Sequence, residues 1–384
     1  MRITIVIGGL MGGGAERVCV NLANAWVERG RSVTILTVAQ NSRIPAYRID
    51  PRVARRDVGW PRGAHAGELN ASVVASLSRR LELAGCLELI DEISLIAILR
   101  CAILATTPDL VVSHIDMTNV RVLAAMHEAA VPVIACEHTD TTQVSLGRWQ
   151  NARRALYRRA AAVVAPHPVI ADWLVRCGAP ATAIPNPLLA PPLADIEQDR
   201  SRRQLVSLTR LSPEKRPALL VRAFASIAGQ FPAWDLEIYG DGPLRAPVAQ
   251  LADELAPGRI RVHGFIDDAY AILRSADLFV SSSWVEGFGN GIWESLACGV
   301  PVVATDCGAP VRSLVRDGVD GLIVRPRGIS ALAAALGELM GNDARRMSFA
   351  ARAPEVLNRF PMESSLDLWE QLIESVCQRA FTAR

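Results

Sequence analysis

Short, mostly apolar runs of two to six residues recur along the chain, and most are followed by a stretch with apolar positions three and four apart. Runs of the first kind mark strands buried on both faces, and stretches of the second kind mark the helices that cover them. In the first half the runs fall at 3–7, 33–38, 110–113, 131–135, 162–165 and 183–184; in the second they fall at 205–208, 234–239, 260–263, 278–281, 300–304 and 321–324. Between 15 and 29, Val18, Leu22, Ala25 and Trp26 share one helical face, and Gly30 supplies the stop. The first forty residues therefore read as strand, glycine loop, helix and strand, a βαβ unit with a right-handed crossover. The stretch 71–105 reads as a helix-rich insertion before the third strand, and 364–381 as an amphipathic tail with no strand after it.

The alternation runs twice. A proline-rich stretch from Pro185 to Pro192 and a polar one from Glu197 to Arg203 separate the two series. At 384 residues the chain exceeds one ordinary core. The expected fold class is α/β, with two Rossmann-like doubly wound lobes facing a cleft and a C-terminal helix crossing back to the first lobe. The expected boundaries are 1–188 for the first domain, 189–361 for the second, and 362–384 packing back on the first.

Composition narrows the class. Half the residues are hydrophobic and 21% are charged, which excludes a disordered chain. The net charge is only +2, but residues 1–190 carry 20 arginines against 15 acids, while the remainder is net acidic. A basic first half, with the stretch Arg148, Trp149, Arg153, Arg154, Tyr157, Arg158 and Arg159, fits contact with an anionic membrane surface or an ordinary solvated face. The longest apolar stretch, 93–104, contains Arg100 and is shorter than the ~20 residues of a membrane span. No secretory leader stands out, so the expected localisation is cytoplasmic, with peripheral contact at the inner membrane as the further expectation. The eight cysteines (Cys86 among them) show no CxxC pair and no metal-type spacing, so no metal is expected.

The chemistry concentrates in Glu286-Gly-Phe-Gly-Asn-Gly-Ile-Trp-Glu294. A strand that ends in a glycine turn and a helix start offers free N–H groups and a helix dipole to an anion. Glu286 is expected in the turn and Glu294 about two helical turns deeper on the same face. Arg210 follows the 205–208 strand and Lys215 is expected at the start of the next helix, so both could reach one diphosphate. Lys215 is the only lysine among 41 basic residues. Gly240 and Gly242 form a second strand-end turn, and His263, Gly264 and Phe265 a third. In the first half, Gly12, Gly13 and Gly14 allow close backbone approach to a ligand, and Glu16 reads equally as a first-turn acid favoured by the dipole. His114 and His138 each follow a strand run on the ligand-binding edge, where they serve either as structural groups or as site residues.

Taken together, Gly13-Gly-Ala-Glu16, Glu137-His138, Asn186-Pro187, Arg210 with Lys215, Gly240-Asp-Gly-Pro243 and Glu286 to Glu294 resemble the retaining glycosyltransferases of family 4, which have the GT-B fold. The resemblance covers nearly the whole chain, is densest from 205 to 324, and leans toward enzymes building bacterial polysaccharide or lipid-linked oligosaccharide. It implies a nucleotide-sugar donor as co-substrate, a lipid-linked or glycan acceptor, no cofactor, no metal and no nucleic acid. His138, Glu286, Arg210 and Lys215 would be the catalytic set. Gly13, Gly14, Gly240, Gly242, Phe265, Gly287, Phe288, Gly289, Asn290 and Glu294 would bind the donor, with Glu16 and His114 on the acceptor side. Arg216 stands where glycine is common in the family, as does Thr209, and His167 where serine is common. An epimerase or phosphorylase on the same fold, or a non-catalytic nucleotide-sugar-binding subunit, is the alternative.

Overall fold

All strand pairs in the two sheets are parallel, so each connection between neighbouring strands is a crossover. The computed structural model describes residues 1–39, 46–58, 71–83, 92–191, 202–325 and 328–382. Within them the chain divides into one unit of Met1–Pro187 with Glu363–Arg384 and a second of Leu188–Met362. Residues 84–91, Cys86 and the 192–201 part of the expected linker lie outside the described residues.

The first unit holds β1 (Arg2–Ile7), β2 (Ser32–Thr37), β3 (Ala54–Asp57), β4 (Leu110–His114), β5 (Val133–Cys136), β6 (Ala162–Ala165) and β7 (Ala181–Ala183). Their order is β3-β2-β1-β4-β5-β6-β7. The second unit holds β8 (Arg203–Leu208), β9 (Trp234–Tyr239), β10 (Ile260–Val262), β11 (Leu278–Ser281), β12 (Val302–Thr305) and β13 (Gly321–Val324), in the order β10-β9-β8-β11-β12-β13. Both are Rossmann-like orders, with the direction of travel reversing between β1 and β4 and between β8 and β11. The interior strands β4, β5, β6 and β12 are buried along their whole length, as continuous apolar runs require.

Several expected boundaries shift for physical reasons. The run 300–304 enters the sheet only at Val302, since Pro301 has no N–H to give and contributes its carbonyl to Phe279. The last strand of the first sheet is Ala181–Ala183 rather than 183–184. β3 was not expected at all: Ala54-Arg-Arg-Asp57 is an exposed edge strand without an apolar face. The 71–105 stretch contains the helices Ala71–Leu83 and Ile93–Leu104.

The C-terminal helix Met362–Thr382 buries Leu366, Trp369, Ile373 and Val376, and most of its length belongs to the first unit. Trp369 meets Trp26 of the helix Gly14–Glu28 edge to face, with centroids 5.6 Å apart at 79°. Arg29 flanks that contact with a 3.0 Å bond to Glu363, and Arg31 pairs with Glu370. Among the described residues no helix is long and apolar enough to cross a membrane.

Because both indoles are fully buried while the Glu363 pair is exposed, the two contacts differ in weight. Trp369→Ala should lower the unfolding free energy of the first unit by about 3–5 kcal/mol, whereas Glu363→Ala should change it by less than about 1 kcal/mol. Urea unfolding followed by circular dichroism checks both; equal losses would move the anchoring from the indole contact to the ion pairs.

Candidate active site

In the second unit the loops leaving β8, β9 and β10 continue to bond to one another past the strands. Thr209 donates its N–H to Tyr239, Leu211 to Asp241, and Gly240 to Gly264, at 2.9, 2.9 and 3.0 Å. That approach has no room for side chains. A Cβ on Gly240 would overlap the Thr209 carbonyl oxygen, one on Gly242 the Leu211 carbonyl, and both glycines have positive φ. The expected glycine turn is thus a fixed rim at the carboxyl edge of the sheet.

The loop after β11 closes against the loop after β8 at the point where the strand order reverses. Trp284 donates its N–H to the Glu214 carbonyl at 2.7 Å, and the Ser282 hydroxyl donates to the Lys215 carbonyl at 2.8 Å. Thr305, ending β12, donates to the Ser283 carbonyl at 2.6 Å. Inside this frame Lys215 Nζ lies 2.7 Å from Glu286 Oε1, and the Ser283 hydroxyl donates to the same oxygen at 2.6 Å. The ion pair is only partly exposed, 21% for the lysine side chain and 16% for the glutamate. Arg210 is exposed just past the end of β8.

Two expectations are corrected here. Lys215 does not open a long helix: it ends a 3-10 turn, Pro213–Lys215, ahead of the helix Pro217–Ile227. Arg216 between them takes a left-handed conformation, φ 49° and ψ 47°, which a side chain reaches at a cost of about 1–2 kcal/mol. Its guanidinium lies over the Trp284 ring at 5.4 Å, which offsets part of that cost. Likewise, Glu286 and Glu294 are not two helical turns apart. The helix is only Asn290–Ala297, capped by Gly289, and Gly287, Phe288 and Gly289 are non-helical. Glu294 is buried about one turn inside it. Gly291, in the first turn, packs against the end of β8, where an added Cβ would sit 3.3 Å from the Leu208 carbonyl.

Phe265 is 38% exposed after β10. His263 stacks on Tyr239, centroids 4.4 Å apart, and its Nε2 lies 2.7 Å from Glu237. Those partners account for its position structurally.

In the first unit the glycine loop after β1 is organised by its own helix. The Glu16 carboxylate accepts the N–H groups of Gly12 and Gly13, the latter at 3.0 Å, so this acid caps the helix and closes the loop. Tyr47 donates its hydroxyl to the Gly12 carbonyl at 2.9 Å. Gly14 opens the helix.

His114 and His138 come together. His114 Nδ1 and His138 Nε2 are 2.9 Å apart, with the rings offset and 21° from coplanar. They line a small pocket of this unit with Glu137, Pro185, Asn186 and Pro187. Burial pushes the His138 imidazole down to about 4 and His114 well below its ordinary value, so both are neutral near pH 7. Asn21 donates to the Pro187 carbonyl at 2.8 Å and fixes that wall of the pocket.

Behind the pocket wall, Glu137 belongs to a buried network that sequence reasoning did not assign. Glu137 is 2% exposed and accepts the Tyr157 hydroxyl, and Asn119 donates to Tyr157 Oη at 3.1 Å and to the Cys136 carbonyl at 2.9 Å. Burial, aided by Asp116 and opposed by Arg153 and Tyr157, pushes the Glu137 carboxyl up to about 7. The basic aromatic stretch is therefore no single exposed face. Tyr157 is buried on Glu137, and Arg153, 3% exposed, bonds Gln150 at 2.9 Å. His167 caps the helix Pro168–Arg176 by accepting the Val169 N–H at 3.2 Å. Among the described residues no three of His, Cys, Asp and Glu gather as a metal site.

Comparison with known proteins matches both units. Residues 12–188 match the family model "Glycosyltransferase Family 4" and residues 202–342 the model "Glycosyl transferases group 1". The phosphatidyl-myo-inositol mannosyltransferase of Mycolicibacterium smegmatis is 30% identical over 264 residues, 66% of this chain and 68% of that protein. An exopolysaccharide phosphotransferase of Streptomyces coelicolor is 31% identical over 206 residues, 50% of this chain, but that stretch spans only 21% of the relative's length. Among solved structures, a point mutant of S. aureus TarM in complex with fondaparinux, alpha-GlcNAc-glycerol and UDP aligns with a TM-score of 0.78 at 13% identity, covering 97% of this chain and 99% of that one. Anabaena HepE in complex with UDP and glucose gives 0.75 at 20%, covering 98% and 100%. These structural likenesses establish a shared GT-B fold.

The buried Glu137 predicts a pH trend. An unfolded carboxyl titrates near 4.5 and the folded one at about 7, so its contribution to stability is full below 4.5 and is lost as pH rises through 7. The neutral imidazoles act oppositely, contributing above 6.5 and losing it as pH falls toward 4. Glu137→Gln removes only the first trend. From pH 5 to 8 the variant should therefore lose less stability than wild type, by up to about 3 kcal/mol, in urea midpoints at the two pH values. Parallel pH slopes would show an ordinary carboxyl.

Proposed function

The chain belongs to the family 4, group 1 glycosyltransferases, and on that premise we propose that it moves a sugar from a nucleoside-diphosphate donor to a lipid-linked or polysaccharide acceptor in bacterial glycan assembly. The proposal includes retention of anomeric configuration and no requirement for a metal. The observation that carries it is the Lys215–Glu286 ion pair and the Gly289-capped helix at the reversal point of the second sheet, with Arg210 exposed just past the end of β8. Ligands of open parallel sheets bind at that point, outside the carboxyl ends of the strands.

The division of labour follows from charge. A departing nucleoside diphosphate gains negative charge as the glycosidic bond breaks, and Arg210 and Lys215 supply fixed positive charge there. Glu286 is left for donor-sugar hydroxyls and Glu294 for the ribose. Gly240, Gly242, Phe265, Gly287, Phe288, Gly289 and Asn290 form the remaining donor wall. His138 and the Gly13–Gly14 loop are the first unit's own candidate substrate contacts. Glu16 enters as the group that shapes the loop rather than as an acceptor ligand. Catalysis then rests on positioning and on charge stabilisation of the leaving group, without a protein nucleophile.

Donor binding separates the candidate bases. A nucleotide that binds only the folded state stabilises it by about 2.7 kcal/mol at a hundred times its Kd, so a thermal-shift comparison of uridine and guanosine diphosphates and their sugars should single out one base. With that donor, nucleoside diphosphate should appear only when an acceptor is present. Lys215→Ala should lower transfer by about 10²–10³-fold, while the ligand-free protein still unfolds cooperatively at a somewhat lower temperature because Glu286 loses its partner. Full transfer by Lys215→Ala would remove the lysine from the phosphate site. Donor turnover without an acceptor would turn the reading toward an epimerase.

A further inference from the structure

His114 has no exposed surface, so it cannot touch a substrate, yet among the described residues the only hydrogen-bond partner of its side chain is the partly open ring of His138. We propose that His114 is a positioning residue that donates from Nδ1 to His138 Nε2 and thereby fixes His138 as a neutral imidazole with its remaining proton on Nδ1. His138 then meets its ligand as a hydrogen-bond donor through Nδ1 and has no free lone pair to act as a base. This deepens the transfer reading above and rests on it for what the ligand is.

The direction of the bond follows from the second nitrogen of His114. Two neutral imidazoles sharing one N–H···N bond leave two arrangements. In one, His138 donates from Nε2 and His114 must carry its proton on Nε2. In the other, His114 donates from Nδ1 and its Nε2 is a bare lone pair. His114 Nε2 is buried and has no hydrogen-bond partner among the described residues. A buried N–H without an acceptor is rarer in folded proteins than a buried acceptor without a donor, so the second arrangement is favoured. The neutral state on which the choice depends agrees with the downward displacement of both rings by burial.

The backbone explains why the pair forms with so little freedom. His114 ends β4 in register with Cys136 of β5, and His138 follows Cys136 by two residues. Directly after His114 the chain turns at Ile115, with φ 74° and ψ 135°. A β-branched residue rarely adopts positive φ, and such a conformation persists only where its surroundings dictate it. Ile115 donates its N–H to the Cys136 carbonyl at 3.2 Å, and Asn119 donates its side chain to the same carbonyl. The exits of β4 and β5 are therefore tied together on the side where the rings meet. The family reading placed His114 on the acceptor side, and complete burial removes it from any such contact.

The test reads the proton directly. The full chain has six histidines, so ring-nitrogen NMR of the histidine-labelled protein at pH 7, without substrate, resolves His138 by comparison with His138→Gln. The expected result is a neutral ring with Nδ1 protonated and Nε2 bare. A ring protonated on Nε2, or on both nitrogens, overturns the proposal, and this reading needs no folded His114 variant and no activity. In His114→Phe the His138 proton should shift to Nε2, the form a free imidazole prefers, and kcat should fall by about 10–100-fold while the donor KM stays within about twofold. His114→Asn places an amide N–H near the former Nδ1 and should restore most of the rate and the Nδ1 proton. If His114→Phe kept the wild-type tautomer and kcat, His114 would be a packing residue only. A wild-type Nδ1 proton in a protein without transfer activity would leave the pair intact and sink the functional reading instead.

Discussion

A sheet whose strands all run one way delivers every residue that follows a strand to the same edge, and both candidate clusters depend on that constraint. Arg210, Gly240, Phe265 and Glu286 come from four loops of the second unit, and Gly12, His114 and His138 from the carboxyl ends of β1, β4 and β5 in the first. None of these groups has to be brought together by a dedicated element. The sheet needs apolar strands buried on both faces, and the polar groups at their ends are positioned as a consequence. What the loops add is rigidity. The bonds from Thr209, Leu211 and Gly240 extend the β8, β9 and β10 ladder beyond the strands, and they are possible because Gly240 and Gly242 bring no Cβ to the contact.

The two clusters differ in how they handle charge. In the second unit the cations and Glu286 keep access to solvent, so a charged ligand can be met by charge already in place. In the first unit Glu137 and His114 are sealed. Asn119, Tyr157 and Glu137 form a buried chain of donors and acceptors, and each member holds the next in one orientation. A low-dielectric setting strengthens such a chain and raises the penalty for any unpaired member. It also drives His114 and His138 to their neutral forms. On the proposed reading, a neutral imidazole offers direction without adding positive charge where a sugar passes through an oxocarbenium-like transition state.

How much of this is legible in the sequence follows from the same physics. Strands buried on both faces are continuous apolar runs, so β4, β6 and β11 can be read directly. The edge strand β3 has no buried face and leaves no such trace. The two family profiles and the GT-B likeness bear out the family resemblance and the two-lobe α/β reading. Side-chain partners separated by long stretches of chain escape any local rule. Tyr157 reads as part of a basic aromatic stretch until Glu137, twenty positions earlier, is seen to take its hydroxyl. The spacing of Glu286 and Glu294 misleads for a different reason: eight residues match two helical turns only if all eight are helical, and Gly287, Phe288 and Gly289 are not.

The single lysine gains a physical reason from its surroundings. In a chain that otherwise uses arginine for positive charge, Lys215 sits where one cation faces both a carboxylate and the proposed diphosphate. A guanidinium facing Glu286 would tend toward a bidentate fork that commits its plane to that partner. An ammonium has three rotatable donors around a point charge, so it can keep one on Glu286 Oε1 and turn the others to a phosphate. Glu286 need not lose its partner when a donor binds, and no partly buried carboxylate is left uncompensated while its second oxygen engages a sugar hydroxyl. On the proposed reading the pair is a hinge of charge between the diphosphate and the sugar, and a planar cation is the wrong shape for it.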